Sequence, residues 1–185
     1  MHFDFPLFKD FEVDSEFVSF MNRKYRDYIL SNGTIHVADQ NVYISPTGCY
    51  TSNLLEWENE EYEEFAEGKL MDIASEQLGL DKSQFYLHHN HIFDYQGSGF
   101  VRPHNHEYAE DFVLLFYLNT CTSGETVFIL NNSRPWNTER TSIKITPVAG
   151  RAVCFSSLLV HRVEPCTEGK RIFAVGIKIN AFKGI

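Results

Sequence analysis

The segment RPHNHEYAEDFVLLFYLN, Arg102 to Asn119, decides how this 185-residue chain is read. It opens on a His-x-His pair (His104, His106), passes the acids Glu107, Glu110 and Asp111, and ends in an apolar run from Phe112 to Leu118. A short apolar run rich in Phe, Val and Leu and bounded by polar residues is the signature of a buried strand. Working outward, the same signature recurs. SQFYLHHNHIFDY (Ser83–Tyr95), FVRPHNH (Phe100–His106), ETVFIL (Glu125–Leu130) and TSIKITPV (Thr141–Val148) all read as short strands. So do RAVCFSS (Arg151–Ser157), LLVHRVEP (Leu158–Pro165) and RIFAVGIKIN (Arg171–Asn180). Clusters of Gly, Pro, Asn or Ser separate them, and no helical periodicity intervenes after Asp81. This spacing predicts an antiparallel jelly roll.

The front of the chain has a different period. Phe17, Phe20, Met21, Tyr25, Tyr28 and Ile29 recur at helical spacing. Asp14 or Ser15 can cap the start, and Asn32-Gly33 offers a stop. A second helix is predicted from about Asn59 to Leu78, with Tyr62, Phe65, Ala66, Leu70, Ile73 and Ala74 on its apolar face and Gly79 at its end. The segment between the two helices reads as extended. The chain is therefore expected to be one domain over residues 1–185, with helical support to about 80 and a jelly-roll core over about 81–185.

Bulk properties narrow the function. The net charge of −9 disfavours nucleic acid and anionic membrane surfaces as partners. No run of ~18 or more apolar residues is present. The opening MHFDFPLFKDFEVD carries acids where a signal peptide needs a basic start. Four cysteines without CxxC spacing fit reduced thiols, so the expected location is cytoplasmic.

Chemistry concentrates in the histidines. Strand alternation puts His104 and His106 on one side, so the pair offers two imidazoles to one cation. His161, on a later strand, can supply a third. Arg171 follows ten residues on, and alternation groups it with Phe173, Val175 and Ile177, the face expected to line the barrel. A buried arginine needs an anion, and a carboxylate satisfies it with a bidentate pair. A histidine pair, a late histidine and an inward arginine together describe an iron site beside a dicarboxylate site. The His88–His91 cluster reads as a polar-edged strand, with His91 as a possible partner behind a metal ligand.

From about Tyr95 to Asn180 the chain resembles the Fe(II)- and 2-oxoglutarate-dependent dioxygenases, closest to the prolyl-hydroxylase-like branch. Four stretches carry the resemblance: DYQGSGFVRPHNH, LLFYLN, SGETVFI and ITPVAGRAVCFSSLLVHRVEPCTEGKRIFAVGIKI. It implies a double-stranded β-helix flanked by amino-terminal helices, with Fe(II) and 2-oxoglutarate as cofactors. It makes His104 the first metal ligand and His161 the distal one. It gives the far carboxylate of 2-oxoglutarate to Arg171 with help from Tyr117, and places Tyr95 near the keto-acid end. The substrate it implies is a small molecule or a peptide.

One position departs from the family's His-x-Asp (or Glu) pattern: His106 stands where the carboxylate belongs. Direct ligation by His106 is the favoured reading. A swing-in of Glu107, Glu110 or Asp111, or weakened iron binding, are the alternatives. The substitution also keeps open a non-catalytic jelly-roll module that retains the ancestral pocket. The polar stretch NNSRPWNTERTS (Asn131–Ser142) is the expected substrate rim or lid.

Overall fold

A computed structural model of the chain describes residues 8–33, 35–36, 48–95, 99–106, 109–130 and 142–180. The rim stretch predicted over Asn131–Ser142 lies outside these residues, apart from Ser142. Among the described residues no helix is long and apolar enough to cross a membrane.

Strands β1 (Phe8–Glu12), β2 (Ile35–His36), β3 (Gly48–Tyr50) and β4 (Phe85–Tyr95) come from the first half of the chain. Strands β5 (Gly99–His104), β6 (Phe112–Tyr117), β7 (Thr126–Ile129) and β8 (Ser142–Ile145) follow. The last three are β9 (Arg151–Ser156), β10 (His161–Cys166) and β11 (Lys170–Ile179). They form two antiparallel sheets. The larger has the order β1-β9-β6-β11-β4-β3-β2 and the smaller β5-β10-β7-β8. This is the jelly roll that the strand pattern predicted, in the double-stranded β-helix form that the resemblance implied.

Helix α1 (Ser15–Asn32) starts where Asp14 Oδ1 accepts the Phe17 N–H at 2.7 Å, and stops at Gly33, whose φ of 74° suits glycine. Helix α2 (Glu60–Phe65) runs through a π-helical turn (Ala66–Leu70) into α3 (Met71–Leu78). Asn59 caps the start, and Gly79 at φ 68° ends the rod.

The large sheet is apolar on both faces. Its outer face packs Phe112, Leu114 and Phe116 of β6 and Phe173, Val175 and Ile177 of β11 against Phe17, Met21, Tyr62 and Leu70 of the helices. Its inner face packs Val113, Leu115, Tyr117, Val153 and Ile172 against Val101, Phe128 and Val163 of the small sheet. The expectation that Phe173, Val175 and Ile177 line the barrel is therefore corrected: they face the helices. Burial of a Phe of this kind is worth about 1.5–3 kcal/mol, so the two helices are strongly held to the outer face.

A register shift on β4 matters for the site. Gly176 pairs with His89 and Ile177 with Leu87, so His88 bulges out. Alternation resets there. Phe85 and Leu87 face the helices, and so do Asn90 and Ile92; His89, His91 and Phe93 form a row on the other face, with successive ring centroids 5.0 and 6.1 Å apart.

Candidate metal centre

Antiparallel pairing of β5 with β10 sets His104 directly opposite His161, and their ring centroids are 4.3 Å apart. His106 joins them by another route than the strand alternation expected of it. β5 ends at His104, and His106 lies in the turn beyond, where its N–H donates to Ser157 O at 2.8 Å. Its ring centroid is 5.1 Å from that of His104 and 5.2 Å from that of His161. Ligand nitrogens of the three histidines lie within 4.8 Å of one another.

Each ring is oriented by its Nδ1. His104 Nδ1 is 2.9 Å from Arg102 O, and His161 Nδ1 is 3.1 Å from Leu159 O. A carbonyl only accepts, so both Nδ1 atoms carry the proton and both Nε2 atoms present lone pairs. His106 Nδ1 lies 3.3 Å from Glu110 Oε2. Burial pushes the His161 imidazole down to about 3, helped by the two neighbouring histidines, and burial also lowers His104. Neutral imidazoles are the form that binds a metal.

Of the alternative carboxylates, Glu107 lies outside the described residues. Asp111 Oδ2 accepts the Ile179 N–H at 2.8 Å. Glu110 sits behind His106: its side chain is 1% exposed, and His89 Nε2 contacts Oε1 at 2.6 Å. Burial opposes its ionisation, but His106 and His89 outweigh that and hold the carboxyl at about 2. The expected helper His91 instead sets its Nδ1 3.2 Å from Thr51 O; Glu110 stands behind His106, and His89 contacts Glu110.

The histidines open onto a pocket of about 80 Å³ between the sheets, lined by Phe93, Tyr95, Leu115, Thr126 and Ile172 among others. A wider surface groove of about 530 Å³ runs past Asp10–Val13 and Val148–Arg151 and touches none of the three histidines. Arg171 does not face the pocket. Its guanidinium donates to Asn22 Oδ1 and Asp94 Oδ2, each at 2.8 Å, and lies 4.2 Å from the Tyr25 ring centroid on the helix side. The expectation of an inward arginine is corrected by the phase of β11: residues 170, 172 and 174 face inward.

Lys170 holds the inward place. It is fully buried, with Nζ 4.9 Å from the Tyr95 ring centroid and 6.0 Å from that of Tyr117. Nζ donates to one acceptor, Gly124 O, at 2.7 Å. The buried hydroxyls of Tyr117 and Thr126 have no hydrogen-bond partner among the described residues. A buried ammonium with donors to spare and unsatisfied buried hydroxyls are groups that an anion would satisfy.

Residues 77–177, more than half of the chain, match the family model of the 2OG-Fe(II) oxygenase superfamily. The chain belongs to this superfamily. The cofactors of a 2OG-Fe(II) oxygenase are Fe(II) and 2-oxoglutarate, and the residues present suit both. Three imidazoles suit the iron, and the buried Lys170 amine with the unsatisfied hydroxyls of Tyr117 and Thr126 suits a carboxylate. The oxygenase also shares its fold with solved structures of low identity. A prolyl-4-hydroxylase from Pseudomonas putida is 15% identical, with a TM-score of 0.68 over 95% of this chain and 94% of that one. A prolyl hydroxylase from Trichoplax adhaerens, in complex with a hypoxia inducible factor peptide, is 15% identical, with a TM-score of 0.67 over 93% and 83%. The epimerase SnoN, in complex with Fe3+, alpha ketoglutarate and nogalamycin RO, is 11% identical, with a TM-score of 0.73 over 93% and 78%. No curated protein matches the oxygenase in sequence.

Proposed function

We propose that this oxygenase is a hydroxylase of a small molecule or peptide, with iron held by His104, His106 and His161. The observation that supports the reading is a pocket that His104, His106, His161 and Thr126 line together, with Lys170 buried on the same inner side of the large sheet and the Tyr117 and Thr126 hydroxyls unpartnered among the described residues. Fe(II) and 2-oxoglutarate, once bound, would supply the reduction of dioxygen, one oxygen atom passing to the keto acid as it decarboxylates to succinate and the other to a substrate C–H bond.

The chain's own residues bind and orient. Lys170 pairs with the far carboxylate of 2-oxoglutarate, in the place first expected for Arg171. Tyr117 and Thr126 donate to the same carboxylate, and Tyr95 covers the Lys170 ammonium with its ring. Phe93, Leu115 and Ile172 keep water from the reacting end. Nothing in the comparisons favours the non-catalytic alternative. Adding 2-oxoglutarate anaerobically to the Fe(II)-loaded protein is expected to give a visible charge-transfer band and, on exposure to oxygen, succinate. A protein that binds iron yet shows neither would overturn the hydroxylase reading.

A further inference from the structure

The iron ligand set lacks its usual carboxylate, yet a carboxylate stands directly behind the residue that replaced it. Three imidazoles leave a bound Fe(II) one charge more positive than two imidazoles and a carboxylate would. Glu110 is aimed at His106 Nδ1 from a position the fold has built. The turn that follows His106 fixes the spacing, with Ala109 N and Glu110 N donating to His106 O at 2.9 and 3.2 Å. The Asp111 N–H donates to Ile177 O at 2.9 Å, which ties the end of the turn to β11. β11 carries a glycine where Glu110 lies: a Cβ on Gly176 would come within 2.5 Å of Glu110 Cγ and 3.0 Å of His89 Cε1. His89 Nε2 then clamps the second carboxylate oxygen at 2.6 Å. Oε2 makes no other hydrogen bond among the described residues, and the His106 Nδ1 stands 3.3 Å from it.

Resting on the assignment of His104, His106 and His161 as iron ligands, we propose that Glu110 is this site's carboxylate, displaced outward by one imidazole. It accepts the Nδ1–H of His106, fixes the tautomer that presents Nε2 to the metal, and returns to the site the negative charge lost from the His-x-Asp pattern. His89 holds Glu110 in that pose. Glu110 is a positioning residue and does not touch the iron. A partner behind a metal-bound imidazole raises the basicity of the ligand, and its loss costs 10–100-fold in metal affinity as an order of magnitude.

The test is anaerobic Fe(II) titration, with measurement of the Fe(III)/Fe(II) potential, for the wild type, Glu110→Gln, His106→Asp and the double variant. Glu110→Gln keeps the shape and removes the charge. It is expected to weaken Fe(II) by about ten- to a hundred-fold. It should also disfavour Fe(III) relative to Fe(II) by about tenfold or more, a rise of about 59 mV or more for a one-electron couple. In the His106→Asp background, where a carboxylate is back on the metal, the same Gln substitution should cost nothing. If Glu110→Gln does not fold, Glu110→Asp withdraws the carboxylate by one methylene and should show the same loss of affinity. Equal losses in both backgrounds, or an unchanged affinity and potential, would overturn the proposal. Wild-type protein that fails to bind Fe(II) would overturn the ligand assignment itself, a result separable from the first.

Discussion

Lys170 is fully buried, and the cost of burying its charge is a usable signal. Burial pushes its ammonium down to about 7 from 10.5. Below about pH 7 both folded and unfolded chains hold the proton, and the full penalty of a buried charge acts on the fold. Between about 7 and 10.5 the unfolded chain keeps a proton that the folded one sheds. The stability of the cofactor-free protein should therefore rise with pH across that window from this group. An incoming carboxylate reverses the shift by stabilising the ammonium. At pH 8 the binding of 2-oxoglutarate should thus take up close to one proton, read by calorimetry in two buffers of different ionisation heat. Lys170→Met should abolish the uptake. It should also weaken 2-oxoglutarate by about ten- to more than a hundred-fold, the loss of a charge-assisted bond of roughly 1.5–3 kcal/mol. Proton uptake that survives in Lys170→Met would remove Lys170 from this role.

At the scale of elements, β11 serves two layers at once. Its inward residues reach the pocket and its outward residues seat the helices, with Arg171 as the polar tie between β11, β4 and α1 through Asp94 and Asn22. Arg171→Leu should leave 2-oxoglutarate affinity unchanged and lower stability by about 1–3 kcal/mol, since Asp94 would lose a charged partner in a mostly buried place. Chemical denaturation and 2-oxoglutarate titration of the one variant separate the two outcomes. A variant of wild-type stability that binds 2-oxoglutarate poorly would return Arg171 to the pocket. Gly176 belongs to the same strand and sits on its inward side. Gly176→Ala must displace either Glu110 or His89, so it should cost about 1–3 kcal/mol and weaken Fe(II) in parallel.

Over the whole molecule, the metal and the cosubstrate should act as folding ligands. The three histidines come from β5, the turn beyond it and β10, and the anion site from β6, β7 and β11. These segments converge only in the folded state, so binding stabilises by mass action, about 2.7 kcal/mol at a hundredfold excess over Kd. For a chain of this length that is a rise in Tm of roughly 5–11 °C. Thermal unfolding with and without metal and 2-oxoglutarate measures it. His161→Ala should lose most of the metal-dependent rise while remaining folded without metal. A metal-dependent rise equal to that of the wild type would mean the ion binds elsewhere.

The chain's local pattern determined the class of fold and the helix caps, because each rests on short-range chemistry, whereas the three histidines meet only through the pairing of β5 with β10 and the turn after β5. Asp14 caps the residues beside it, Gly33 and Gly79 turn the backbone through a positive φ, and His-x-His is two residues apart. Which face of β11 looks inward was decided by tertiary structure alone. The strand is apolar on both faces, as Ile172 and Ala174 pack on one side and Phe173 and Val175 on the other. Alternation gives the grouping but not its direction, so Arg171, expected on the inner face, turns to the helices and the adjacent Lys170 turns inward. The same holds for Glu110. Its four-residue distance from His106 is visible in the sequence, but the contact depends on β4 bulging at His88 to set the phase of His89. It depends as well on β11 offering a glycine at 176, and both strands meet the turn only through the register of the large sheet. Local periodicity encodes which residues share a face; the packing of one layer on another decides what that face meets.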